Sequence, residues 1–166
     1  MTTQNNLWLE AADFLSVSNP EVDAAMARYL RQRAFITSPE FRSPHLERSL
    51  AKWEKAASER PYWPFYPLGA LEAAMLLDRP AEDIQQRFAS IVAMAPNERS
   101  MDTELLSLAV LGWHKLLPAQ RDWSLARLDS SPGPVRHYVF GVAEQLKRRS
   151  ILCASLPWAK YRYLCK

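Results

Sequence analysis

Apolar residues recur along most of the chain at the three- and four-residue spacing of amphipathic helices, and the alternation typical of strands is nearly absent. Near the start, for example, Leu7, Ala11, Phe14 and Leu15 fall on one helical face. The pattern predicts an all-α fold of about nine helices joined by short connections.

Capping residues indicate where the predicted helices begin and end. Asn19-Pro20-Glu21 has the order of a cap, a first helical residue and an acid favoured in the first turn. Ser38-Pro39 predicts the end of that helix, and Ser43-Pro44 predicts the start of the next. The later predicted helices cover, in order, about Tyr66–Leu77, Ala81–Met94, Asp102–Leu116, Ala119–Leu128, Pro134–Arg149 and Pro157–Leu164.

The chain resembles itself at a shift of 35 residues, because Trp53, Phe88 and Trp123 then coincide. The other recurring positions are small or apolar, or are a closing proline: Ala56 with Ile91 and Ala126, Leu71 with Leu106, Ala74 with Ala109, Leu76 with Leu111, and Pro61 with Pro96. The recurrence predicts stacked antiparallel helix pairs, a solenoid in which the three large aromatics occupy equivalent buried positions. An irregular helical bundle is the alternative.

The length of 166 residues is typical of one domain. Within a single domain 1–166, the repeat predicts units at about 44–80, 81–116 and 117–150, followed by a tail at 150–166. Only 4 Gly accompany 12 Pro, which argues against glycine-dependent β-rich or phosphate-cradling folds and favours many short helices. Gly112 and Gly141 fall inside predicted helices, where they are expected to mark close helix crossings.

Basic residues are concentrated at the C-terminus. The whole chain carries a formal net charge of +3, and seven basic residues but one acid follow position 135, so the preceding part is net acidic. Lys147, Arg148 and Arg149, followed by an aromatic tail, could bind phosphates or lipid headgroups. The alternative is a cationic helix end favoured by the helix dipole.

Two cysteines, Cys153 and Cys165, lie close together near the end of the chain. They could close a small disulfide loop, which would indicate an oxidising compartment. Two buried free thiols are the alternative. Their spacing and the lack of a neighbouring histidine argue against structural zinc.

Part of the chain resembles a tetratricopeptide repeat. The resemblance begins at Trp63-Pro64-Phe65-Tyr66-Pro67-Leu68-Gly69-Ala70-Leu71-Glu72-Ala73-Ala74, continues through Ile84, Phe88 and Ile91, and closes at Ala95-Pro96-Asn97-Glu98. In place of the family's glycine-containing turn stands Pro80-Ala81-Glu82-Asp83. The resemblance implies helix-pair repeats that bind a protein partner.

A narrower resemblance is to the VpsP-type proteins of bacterial exopolysaccharide loci. Arg60-Pro61-Tyr62-Trp63-Pro64-Phe65-Tyr66 is similar to their Arg-Pro-x-Trp-Pro-Tyr-x-Trp motif, and Leu111-Gly112-Trp113-His114-Lys115-Leu116 with Arg121 is similar to the helix and arginine that follow it. The resemblance implies a role in polysaccharide assembly on the periplasmic side of the inner membrane, behind an N-terminal anchor. The opening Met1-Thr2-Thr3-Gln4-Asn5-Asn6 is neither an anchor nor a signal peptide, so a cytoplasmic location is the alternative.

Candidate catalytic chemistry is sparse. His45, His114 and His137 lie far apart and outside metal-binding motifs, and no Gly-x-Ser-x-Gly sequence is present. We therefore predict a protein without catalytic residues, metal or cofactor.

Recognition is what remains. Aromatic side chains are concentrated at one predicted repeat junction, where Tyr62, Trp63, Phe65 and Tyr66 could anchor a partner. The resemblance adds Trp113 and Arg121 to these partner-binding candidates. The alternative is that these aromatics are core residues of the first helix of a pair.

The leading hypothesis is a non-enzymatic adaptor for a protein of a polysaccharide assembly machinery. Any association with the membrane would come through that partner or through an anchor. The second is a binder of anionic membranes or, less in keeping with the pattern, nucleic acid through Lys147, Arg148 and Arg149.

Overall fold

The computed structural model describes residues 8–12, 15 and 19–165, and within these ranges every regular element is helical. The all-α prediction is confirmed. Leu7 and Phe14 of the first predicted helical face, and the opening residues 1–6, lie outside the described residues. Among the described residues, no helix combines the length and the apolar character that crossing a membrane requires.

The chain divides into two compact units, Met1–Arg79 and Pro80–Lys166. The boundary falls where the sequence predicts the change from the repeat-like unit 44–80 to the unit 81–116. Whether the chain works as a single domain 1–166 stays a prediction.

The first unit contains helical backbone at residues 8–12 and three helices with complete bounds. These helices are α1 (Pro20–Ile36), α2 (Pro39–Glu59) and α3 (Phe65–Leu76). Helix α1 starts as predicted, since the Asn19 side chain accepts a 3.1 Å hydrogen bond from the Glu21 backbone N–H and Pro20 occupies the first turn.

Helix α2 begins at Pro39, so the predicted start at Ser43-Pro44 is wrong. Pro39 has the φ that a first helical residue needs and no N–H that would be left unpaired. Pro44 lies in the second turn, where its missing N–H removes one intrahelical bond near the helix end. Both prolines are exposed, and the buried face of α2 begins after them with Leu46, Leu50 and Trp53.

A buried carboxylate ties α1 to α2. Asp23 is fully buried, and its two oxygens lie 2.9 Å from Lys52 Nζ and 2.7 Å from Lys55 Nζ. Burial opposes ionisation, but hydrogen bonds and charge attraction from the two lysines outweigh it and lower the pKa of Asp23. The carboxylate therefore stays charged and fixes the register of the two helices.

The second unit contains six α-helices and one short 3-10 helix among its described residues. They are α4 (Ala81–Met94), α5 (Asp102–Leu111), the 3-10 helix Trp113–Lys115, α6 (Pro118–Ser130), α7 (Gly133–Gln145), α8 (Arg149–Ser155) and α9 (Trp158–Tyr161). Its main core cluster is formed by Leu106, Val110, Leu128, Val139, Phe140, Ala143, Leu152, Leu156, Tyr161 and Leu164.

Two predicted helices of this unit are each split. The segment predicted as Asp102–Leu116 ends at Leu111 because Gly112 is the C-cap and the 3-10 helix follows. The segment predicted as Pro134–Arg149 ends at Gln145, where Lys147 takes a left-handed backbone with φ 56°.

Lys147 belongs to a Schellman turn. Its N–H donates to the Glu144 carbonyl at 2.9 Å, and the Arg148 N–H donates to the Ala143 carbonyl at 2.7 Å. Asp78, φ 55°, ends α3 in the same way. Glycine usually occupies the left-handed position after a helix. Because Lys147 and Asp78 stand there instead, the sequence does not show where α7 and α3 end.

Gly141 does not mark a close helix crossing, and that prediction is wrong. It is exposed on α7, and a Cβ added there would meet nothing within 4 Å.

Tyr161 links the end of the chain to this core and provides a pH test. Its ring stacks on Phe140 at 5.7 Å between centroids, and its hydroxyl donates to Asp129 Oδ1 at 2.9 Å. Burial, then the hydrogen bond and charge of Asp129, raise the pKa of Tyr161 from 10.0 to about 12, although Arg136 opposes the shift.

The protein is therefore expected to lose stability as the pH rises from 10 to 12. In that range the unfolded chain releases the Tyr161 proton and the folded chain keeps it, so the free energy of unfolding falls by up to about 1.4 kcal/mol per pH unit. Urea denaturation across this range measures the decline. The Tyr161→Phe variant should lose this contribution, and an equally steep decline in the variant would contradict the assignment.

Candidate functional site

The segment between α2 and α3 is a short turn fixed by its own backbone. Arg60 is the C-cap of helix α2, and its N–H donates to the Ala56 carbonyl at 3.1 Å. Pro61, which lacks an N–H, cannot continue the helical bonding. The Trp63 N–H then donates to the Arg60 carbonyl at 3.1 Å, and Pro64 caps α3. The turn presents its side chains from a defined backbone.

Three aromatic residues at this turn form what we call the aromatic junction: Tyr62, Trp63 and Phe65. Tyr62 is 89% exposed and Trp63 is 46% exposed, and Phe65 is half-buried. The rings of Trp63 and Phe65 lie 5.2 Å apart with a tilt of 44° between their planes. Large aromatics exposed on a short turn are typical of residues that anchor protein partners.

Tyr66, the fourth predicted partner-binding aromatic, is a core residue instead. It is 1% exposed, its ring lies 6.3 Å from that of Trp53, and its hydroxyl donates to Glu21 Oε1 at 2.8 Å. Burial and that hydrogen bond raise the pKa of Tyr66. Arg60 also donates to Glu21 Oε1, at 2.8 Å. Tyr66 therefore cannot reach a partner, but it fastens the base of the junction to α1.

Trp113 and Arg121 lie together in the second unit. The Arg121 Nε donates to the Trp113 carbonyl at 2.8 Å, and its guanidinium lies 5.8 Å from the Trp113 ring centroid. A longer bond of 3.3 Å reaches the His114 carbonyl. Both side chains are half-buried. Arg121 thus holds the 3-10 helix, and the Trp113 ring keeps a partly exposed surface.

The predicted basic cluster is largely engaged within the second unit. The Arg148 guanidinium donates to the Val110 carbonyl at 2.6 Å and also to that of Leu111, at the C-terminal end of α5. The Arg149 guanidinium lies 3.2 Å from a Glu144 carboxylate oxygen. Lys147 is exposed. Arg148 therefore completes the C-terminal end of α5, where a cation is favoured. Binding of an anionic surface by Lys147 and Arg149 stays a prediction.

Cys153 and Cys165 are joined in a disulfide with their Cα atoms 5.7 Å apart. Both pack against the core cluster of the second unit. Of the two sequence alternatives, this is the disulfide loop and not the pair of free thiols. It anchors the tail that follows α8.

The three histidines occupy separate places. His45 is half-buried on α2, His114 is exposed in the 3-10 helix, and His137 is exposed on α7 with its ring 5.6 Å from that of Tyr163. Within the described ranges, no group of three or more His, Cys, Asp or Glu side chains is placed to hold a metal ion.

With this geometry in place, comparison with known proteins adds one finding. No protein family, curated protein or solved structure matches the chain.

Sequence reasoning missed a pocket in the first unit, whose lining includes the charged side chains of Arg33, Arg48 and Glu10 together with His45. The signal that could have found it is spacing. Tyr29 and Arg33 are four residues apart on α1, and His45 and Arg48 are three apart on α2, so each pair shares a helix face. The spacing does not predict that these two helix faces pack against each other, because that depends on the tertiary fold.

Proposed function

We propose that this protein is a non-enzymatic helical-repeat adaptor that binds a protein partner through the aromatic junction, in support of bacterial extracellular-polysaccharide assembly. The observation that carries the proposal is that two segments 35 residues apart, α2–α3 and α4–α5, share buried positions and the geometry of the turn between their helices. The first of these turns is the exposed junction.

Burial recurs between the pair α2–α3 and the pair α4–α5. Residues 35 apart are buried in both copies, namely Trp53 and Phe88, Ala56 and Ile91, Tyr66 and Met101, Leu71 and Leu106, and Ala74 and Ala109. A shared period in sequence could arise by chance among apolar residues. The two pairs differ in packing, since α2 packs extensively on α3 whereas α4 and α5 make almost no contact with each other. Matching burial therefore supports a recurring pattern of core positions and not a repeated packed pair.

The backbone recurs at the same shift. The C-cap of α2, Arg60, has φ −131° and ψ 75°, and that of α4, Ala95, has φ −136° and ψ 60°. A proline follows each cap, and the N–H three residues after it donates back to the cap carbonyl, at 3.1 Å from Trp63 and 3.2 Å from Glu98. The two helix pairs therefore have the same turn.

A third copy is weaker. Trp123 is half-buried and packs edge-to-face on Phe88, with 5.7 Å between ring centroids, while Ala126 is exposed. Helix α6 instead buries Ser124 and Leu128, so its core face is displaced from the 35-residue register. The proposal accordingly rests on two copies, with α6 and the helices after it closing the second unit.

The chemistry of the junction favours a protein partner. Tyr62 and Trp63 offer broad apolar surface with a polar edge, which is the character of interface hot spots, and Pro61 and Pro64 limit the entropy lost on binding. The equivalent turn of the second copy, Pro96-Asn97-Glu98, has no aromatic residue. The backbone turn therefore forms without aromatic residues, so the exposed aromatics of the first turn are not required for its fold.

The pathway in the proposal comes from the resemblance to VpsP-type proteins, whose motif coincides with Arg60–Tyr66 and so with the junction. The Cys153–Cys165 disulfide supports an oxidising compartment and hence the periplasmic side of the inner membrane.

Photocrosslinking in living cells tests the proposal. A benzophenone amino acid replaces Tyr62 in one strain and Tyr138, an exposed tyrosine of the second unit, in a matched control strain. We expect a discrete adduct from position 62 and not from position 138. Adding Trp63→Ala should lower the adduct yield by roughly tenfold or more, because hot-spot aromatics contribute about 2 kcal/mol or more.

Mass spectrometry then identifies the captured protein. A glycosyltransferase, polymerase or export component would support the polysaccharide role, and another protein would overturn that role while keeping the adaptor. Equal adducts at positions 62 and 138, or a yield unchanged by Trp63→Ala in a folded variant, would overturn the adaptor itself.

A further inference from the structure

We infer that the first unit contains a binding site for a small organic acid, a carboxylate carried on an apolar body. The site is the pocket between α1, α2 and residues 8–12, which we call the α1–α2 pocket. It is separate from the aromatic junction and goes beyond the proposed adaptor function.

The α1–α2 pocket has a volume of about 440 Å³. This lies within the range of pockets that hold small molecules. Its lining combines apolar, aromatic and charged side chains: Met26, Tyr29, Leu30, Arg33, His45, Arg48 and Glu10.

One part of the lining is apolar. Met26 and Leu30 lie one helical turn apart on α1, and both are buried. Neither side chain can replace the hydrogen bonds that an inorganic ion makes with water. An alkyl or aryl group in contact with them would instead remove apolar surface from water, which favours binding.

The charged part of the lining favours an anion. Arg33 comes from α1 and Arg48 from α2, and within the described part of the chain neither guanidinium has a carboxylate partner. Two guanidinium groups on facing helices are suited to a planar carboxylate, which can accept paired hydrogen bonds from an arginine. Glu10 also lines the pocket, where it supplies one negative charge against the two positive ones.

His45 contributes its imidazole ring to the lining. Its Nδ1 is enclosed by protein and is not open to the pocket, so a ligand meets other atoms of the ring. Tyr29, half-buried in the same lining, adds a hydroxyl group. Two guanidinium groups and an apolar wall together match a carboxylate with an apolar tail better than a bare inorganic anion.

Isothermal titration calorimetry with octanoate tests this site in the full chain, with 1-octanol as the uncharged analogue and inorganic phosphate as the anion without an apolar body. We expect octanoate to bind and the other two to bind at least tenfold more weakly. Arg33→Ala and Arg48→Ala should each weaken octanoate binding by about tenfold or more, since each removes hydrogen bonds between charged groups.

Two further variants sharpen the test. Glu10→Gln should strengthen octanoate binding, because it removes the negative charge from the lining. Arg28→Ala is the matched control, since Arg28 is also on α1 but stacks over the Trp53 ring at 5.2 Å from its centroid and does not line the pocket. It should leave the affinity within about twofold.

An NMR titration of the unaltered protein reports on His45 without any substitution. Its imidazole resonances should shift with octanoate and not with 1-octanol. Absence of binding or of the His45 shift would overturn the inference. So would equal affinity for 1-octanol or phosphate, or unchanged affinity in the folded Arg33→Ala, Arg48→Ala double variant.

Discussion

Replacing Arg127 with alanine is expected to lower the free energy of unfolding of the second unit by about 3–5 kcal/mol, the cost of breaking a buried ion pair by removing one partner. Arg127 donates to Asp102 Oδ1 at 2.7 Å, to the Pro96 carbonyl at 2.7 Å and to the Glu98 carbonyl at 2.6 Å. Asp102 is 1% exposed. Without Arg127 its carboxylate would remain buried with Arg99, at 3.2 Å, as its cationic contact.

Urea denaturation, followed by circular dichroism and by amide hydrogen exchange in α5 and α6, measures this loss. The matched control is Arg149→Ala, which removes a more exposed pair with Glu144 in the same unit and should cost about 0.5 kcal/mol. A double variant, Asp102→Leu with Arg127→Met, should recover much of the stability because no buried charge is left. Similar losses from Arg149→Ala and Arg127→Ala would refute the role assigned to the buried pair.

The Asp102–Arg127 pair shows where sequence reasoning ends. An acid at the start of α5 is explained adequately by the helix dipole, and nothing local distinguishes it from the acids at the start of α4. Its burial depends on α6 bringing Arg127 across a separation of 25 residues. Local periodicity predicts which residues form helices, but it does not predict which residues from different helices will come into contact.

Helix positions were predicted best where a polar or proline boundary coincides with the end of the apolar pattern. The bounds of α4 were predicted without error. The predicted end of α7 is wrong because the turn after it contains Lys147, a residue type that is also common inside helices. The predicted start of α2 is wrong because two prolines, Pro39 and Pro44, are each suited to the first turn of a helix. In these places the tertiary contacts decide between alternatives that local propensities leave nearly equal.

The candidate site was partly predictable for a similar reason. Aromatic density located the junction, and the exposed Tyr62 and Trp63 are among the residues chosen. The same density could not separate them from Tyr66, which is a single turn away in α3 and points to the core. That separation depends on Glu21 of α1, which accepts the Tyr66 hydroxyl and is 45 residues distant in sequence.

Replacing Gly69 with alanine is expected to destabilise the first unit by about 3 kcal/mol, the upper end of the usual cost of overpacking. Gly69 is buried on α3 against the indole of Trp53, and an added Cβ would lie 2.6 Å from Cδ2 and 2.7 Å from Cζ2 of that ring. The contact involves several ring atoms at once. The indole also has little room to retreat, since it lies near Tyr66 and beneath Arg28.

Alanine at Gly141 should instead increase the stability of the protein. Gly141 is exposed inside α7 with nothing within 4 Å of an added Cβ, so alanine there gains helix propensity and should stabilise by about 0.5–1 kcal/mol. Denaturation of the two variants under one condition compares them directly. In a Trp53→Leu background the penalty at Gly69 should largely disappear, because the ring that the methyl group meets is gone. A penalty that persists there would show that Gly69 serves the backbone of α3 and not the indole.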